Sequence, residues 1–213
     1  MTPKLSDAEE LVGELLKRYN SALEFHQLRA CFMGAIACPA MGINPTRLIR
    51  GFWGREFPDF QSLEDANSFF DVLINRCWNP LTAHTNPKNP FELTQWRKNN
   101  TTKDLAEFSS VRTEELAIFI EAVEGPDDEL KLPRKALSAV RALEEIYEQI
   151  SGIEALAHHK WISKNPDEIG EMFDELSQLT MFAEKEINAA IIACHRAQKT
   201  NILHLPKVKD RIH

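Results

Sequence analysis

Apolar positions along this chain recur at three- and four-residue spacing, and no segment alternates with the two-residue period of a strand. The pattern predicts an all-α protein, a multi-helix bundle of about eight helices with a long C-terminal helix. Leu11, Val12, Leu15, Leu16, Tyr19, Leu23 and His26 share one stripe, with Ser6 and Glu9 at capping-box spacing ahead of it. The apolar run 28–37 stops at Pro39 and Gly42. Asn44-Pro45 sets a cap and a proline where a missing N–H costs nothing, which predicts a short helix around 48–53. Ser62 and Asp65 open the next helix, whose buried spacing runs Ala66, Phe69, Phe70, Leu73, Ile74, Cys77, Trp78 and Leu81.

Residues 84–100 are rich in asparagine and proline and read as a loop with one helical turn near 93–97. That loop is the expected seam between an N-terminal half, 1–98, and a C-terminal half, 99–213, of a single all-α domain spanning 1–213. Beyond it, Thr101 or Thr102 caps a helix through Phe108, and Thr113 caps a second through Val123, ended by Gly125-Pro126. Pro133 opens a helix that closes near Gly152, and Ser151 with Glu154 marks a short segment reaching Trp161. Asn165-Pro166-Asp167-Glu168 is a strong start signal. From it Ile169, Met172, Phe173, Leu176, Leu179, Phe182, Ile187, Ile191 and Cys194 hold one stripe to about Gln198.

Charge distribution narrows the partners. Net charge is −7, but residues 1–100 carry 11 acidic and 11 basic groups, residues 101–192 carry 20 and 9, and residues 193–213 carry 1 and 5. The acidic middle argues against nucleic acid or an anionic membrane as the main partner. The basic tail from Asn201 reads either as a flexible tail or as a segment that docks on the acidic 101–192 surface of its own or a neighbouring chain. Apolar residues make up 43% of the chain without a run near the roughly 20 residues that span a bilayer, so no membrane partner is expected. The acidic start MTPKLSDAEE has no apolar signal segment, which points to a cytoplasmic protein.

Candidate chemistry is sparse. Cys31, Cys38, Cys77 and Cys194 form no CxxC pair and read as buried reduced thiols. The chain has no Glu-x-x-His pair for a di-iron bundle, no His-Glu-x-x-His zinc helix and no glycine-rich phosphate loop, so no metal, cofactor or catalytic residue is assigned. Adjacent His158 and His159 diverge on a helix, as do Cys194 and His195. Glu168, Glu171 and Glu175 read as a solvated face. Gly34, within an apolar helix, reads as a point of close helix approach. The aromatics Trp53, Phe57, Phe60 and Trp78 cluster near prolines; where exposed, they suit a peptide- or helix-binding surface.

Pro39, Leu48, Gly54, Pro58, Phe60, Glu64, Trp78, Asn79 and Phe91 follow one another in an order that resembles the amino-terminal half of the YecA/YgfB-type family of bacterial helical proteins. The match covers about a third of the chain. Arg29 and Ala30 stand where that family tends to have His-Gly, and Cys38 replaces a glycine before Pro39. The Cys-rich zinc-binding tail of longer members has no counterpart here, so zinc is not carried over. The resemblance implies an all-helical fold and supplies no catalytic residue. The combined expectation is a non-enzymatic regulator or adaptor that binds another protein; the long amphipathic final helix suits a homodimer and equally suits packing within one chain. The alternative is a helical enzyme or small-ligand or metal-binding protein with a site between helices, using His26 or the 154–159 segment.

Overall fold

A computed structural model describes residues 7–40, 43–54, 56–96, 101–125, 131–159 and 166–204. Among them every regular element is helical, and there are seven helices rather than eight. Helix α1 (Asp7–Arg18) does not continue into the expected stripe through His26. Asn20 takes a left-handed φ of 51°, Ser21 N–H donates to the Leu16 carbonyl at 2.9 Å and Asn20 N–H to Lys17 at 3.2 Å. This paired closure ends the helix, because asparagine tolerates the left-handed turn that reverses the chain. Helix α2 (Phe25–Ala37) starts again beyond it, with Gln27 Oε1 accepting the Glu24 N–H.

Asn44 caps α3 (Pro45–Gly51) by accepting the Thr46 N–H at 2.8 Å, and Ser62 caps α4 (residues 63–85) by accepting the Asp65 N–H. Helix α4 is composite. An α-helical start, Leu63–Phe70, passes into a π-helical stretch, Asp71–Trp78, then a single turn, Asn79–Leu81, and a 3₁₀ turn, Thr82–Thr85. Pro80 has no N–H to return to Arg76 and its ring crowds that carbonyl, so the chain widens upstream, where Asn79 N–H reaches Ile74 instead.

Two boundaries in the second half differ from the sequence reading. The expected pair of helices is one, α5 (Thr102–Glu124), capped by Thr101. Thr113 lies inside it and donates back to the Ser110 carbonyl at 2.8 Å, so its hydroxyl is satisfied without breaking the helix. Helix α6 (Arg134–Ala157) runs through Ser151 and Gly152. Ile150, Ile153 and Ala157 are buried, and that burial outweighs the roughly 1 kcal/mol a mid-helix glycine costs. Trp161 and the basic residues after His204 lie outside the described residues, as does Ser6. Helix α7 (Pro166–His204) has 39 residues, about 58 Å at 1.5 Å per residue.

Helices α5, α6 and α7 form an antiparallel bundle, α2 crosses α5, and α1, α3 and α4 complete an N-terminal layer. One contiguous apolar core runs through both halves of the chain. The α2–α5 crossing depends on Gly34: a Cβ there would lie 2.7 Å from Ala122 Cβ and 2.8 Å from the Phe119 carbonyl. The close approach read from the sequence at Gly34 is therefore a real one.

Candidate functional site: a groove beside an extended strap

Residues 91–96 form no helical turn. They run extended along α5 and α7 as a strap whose backbone is held by side chains. Asn188 clamps Phe91 from both sides, accepting its N–H at 2.7 Å and donating to its carbonyl at 2.8 Å. Glu184 accepts the Leu93 N–H at 2.9 Å. Glu115 takes both the N–H and the hydroxyl of Thr94, at 3.0 and 2.7 Å. Arg112 donates to the Thr94 carbonyl, to Glu115 and to Thr180 Oγ1, and its guanidinium lies over the Phe108 ring, on which Trp96 also stacks. Arg112 and Glu115 are each only 1% exposed. Burial pushes the Arg112 pKa down and the Glu115 carboxylate opposes it; burial likewise pushes Glu184 up, against the Leu93 N–H.

The near end of the strap is closed by His84, whose Nδ1 lies 3.1 Å from both the Asn89 and Pro90 carbonyls. Two acceptors require that Nδ1 carry the proton. Phe91 is buried under the edge of the His84 ring and the face-on guanidinium of Arg29, 4.6 Å away, while Arg29 also donates to the Glu92 carbonyl.

Between this strap and helices α1, α2 and α4 lies an open groove of about 510 Å³. Phe25, Cys77, Leu81 and Leu93 give it an apolar floor, and Arg29, Arg76, His84, Glu9, Glu92, Thr94 and Gln95 form its polar edge. Arg76 projects from the π-helical stretch with its side chain 64% exposed, and Asp71 is 3.6 Å away. Burial pushes the Cys77 thiol up to about 12, which leaves it protonated and a poor nucleophile. The groove thus offers cation, amide and apolar contacts but no nucleophile beside a base. Two smaller recesses exist: a shallow cleft of about 340 Å³ between α5 and α6, and one of about 140 Å³ beside Asp65.

The four aromatics singled out in the sequence are half-buried and packed on the core. Trp53 donates its indole N–H to the Tyr19 carbonyl at 2.8 Å and meets Phe69 edge-on. Phe60 packs on Phe69 and Tyr19, Phe57 on Phe70, and Trp78 on Phe32. The exposed large apolar side chains lie elsewhere, chiefly Leu63, Met181 and Phe182.

His26 sits with Nε2 2.8 Å from Glu114 and Nδ1 3.6 Å from Glu24, so both ring nitrogens face carboxylates. Glu154 accepts from Thr113, while His158 and His159 are exposed. Glu168, Glu171 and Glu175 are exposed as well. Cys38, Cys77 and Cys194 are buried free thiols, and Cys31 is partly covered. No group of three His, Cys, Asp or Glu among the described residues is placed to hold a metal ion.

Sequence reasoning passed over Arg112, Glu115, Glu184 and Asn188. A signal was present: Leu105, Phe108, Arg112, Glu115, Leu116 and Phe119 follow the buried spacing of α5, so an opposite-charge pair three apart falls on its core-facing stripe.

No helix among the described residues is long and apolar enough to cross a membrane. Neither family models, nor curated proteins, nor solved structures show a match to this chain, so no function is inherited from a relative.

Proposed function

We propose that the chain is a non-enzymatic protein-binding regulator or adaptor of the cytoplasm, of the YecA/YgfB type, and that the groove beside the strap is where a partner docks. The observation that carries this reading is the division of labour among polar groups. Arg112, Glu115, Glu184, Asn188 and His26 are all engaged in holding the fold, whereas Arg76 and Gln95 stand exposed over an apolar floor with only long local contacts, to Asp71 at 3.6 Å and to the Leu93 carbonyl at 3.4 Å. Such a floor with a few placed polar groups suits an apolar side chain followed by an acceptor-rich stretch of a partner. Tagged capture from the native cytoplasm, quantified for wild type and Arg76→Glu, tests the reading. The expected result is a partner reduced about tenfold in the variant, with thermal unfolding unchanged. An identical capture profile from the two proteins would overturn it.

A further inference from the structure

The shallow cleft between α5 and α6 carries a separate inference. Its floor is apolar, formed by Ala117 and Ile120 of α5 and Tyr147 of α6, and its edge is formed by Glu144 and Glu148. Glu121 and Glu124 stand within one helical turn of the α5 floor residues, and Glu145 beside Glu144; all are exposed. Across residues 114–124 and 141–154, the exposed faces carry a single cation, Arg141, because Arg112 lies below this stretch and is buried in the core. An apolar depression with a carboxylate edge is a selective arrangement: Glu144 and Glu148, with Arg141 one turn before them on the same helix, disfavour nucleic acid and anionic lipid, and they steer and orient a cationic partner before the apolar contact forms.

We infer that this cleft is a second docking surface, for a lysine- or arginine-rich segment of a partner protein that carries one apolar anchor. The anchor would rest on Ile120 and Tyr147 while flanking cations meet Glu144 and Glu148. The groove beside the strap has a different edge chemistry, with Arg29 and Arg76 at its lip. Two faces of different edge chemistry would let a single chain hold two partners at once. The inference stands on the cleft alone and does not require the groove reading.

The test uses a fluorescent amphipathic lysine–leucine helical peptide, titrated against the full chain by anisotropy, together with a version whose leucines are replaced by serine. Three proteins are compared: wild type, Glu144→Gln/Glu148→Gln, and Glu168→Gln/Glu171→Gln, the last removing the same charge from the first turns of α7. The expected result is an affinity loss of about tenfold for the cleft variant, under twofold for the α7 variant, and a similar loss for the serine peptide. Backbone amide shifts induced by the peptide should concentrate on 117–124 and 144–148. Equal weakening by both variants would mean that only net charge is read, and no binding by wild type would mean that the cleft takes no such segment. Either outcome overturns the inference.

Discussion

Arg112 shows how a single side chain organises its surroundings. Each nitrogen of its guanidinium has an acceptor, and the acceptors come from α5, α7 and the strap. Arg112→Met would leave Glu115 buried without its counter-charge, so urea unfolding should show a loss of about 3–5 kcal/mol. Arg112→Met/Glu115→Leu should recover part of that loss, because both buried charges are then gone. Gly34 and Gly152 make an opposed pair. Gly34→Ala forces a methyl onto Ala122 and the Phe119 carbonyl and should cost about 1–3 kcal/mol. At Gly152 nothing lies within 4 Å of a new Cβ, so Gly152→Ala should stabilise α6 by about 0.5–1 kcal/mol. Gly34 was legible in the sequence because a glycine amid apolar helical residues has few other uses. Gly152 misled because glycine also ends helices, and only the buried Ile153 beyond it shows that this helix goes on.

Elements are joined by a few specific polar contacts. Asp65, in the first turn of α4, accepts from Tyr19 at 2.7 Å, from the Gln61 N–H at 3.1 Å and from Arg18 at 2.7 Å, tying the end of α1 to α4. The Tyr19 hydroxyl, followed by the Gln61 N–H, holds its carboxyl below the ordinary value of 3.8. A lowered folded pKa gives stability that is present above the unfolded value and lost as pH falls through the folded one. The melting temperature of wild type should therefore drop below about pH 4 more steeply than that of Asp65→Asn. The strap offers another check. Asn188→Ala removes both bonds to Phe91 and should speed amide exchange at Phe91 and Leu93, with a loss of about 1–3 kcal/mol. Helix type and most start signals were readable, since Asn44, Ser62 and Thr101 cap where expected. The strap was not, because Phe91 and Leu93 are fixed by partners more than ninety residues away, and no local period records such a contact.

At the scale of the whole molecule, the two halves of the chain share one core: α2 packs on α5 across them, and the loop read as a seam adds the bonds of the strap to α5 and α7. Asparagine and proline marked where helices stop but not that the intervening chain docks. The all-helical architecture and the long final helix followed from periodicity alone. The groove did not, because its walls come from α1, α2, α4 and the strap, and its position depends on the π-helical widening before Pro80. In the proposed function a partner protein occupies this groove. A photo-crosslinking benzophenone residue at Gln95, exposed at its edge, tests that claim most directly, with the same residue at Lys135 on α6 as the comparison. The account predicts a discrete protein adduct from position 95 that is absent from position 135 and lost when Arg76→Glu is added. No adduct from position 95, or the same adducts from both positions, would contradict it.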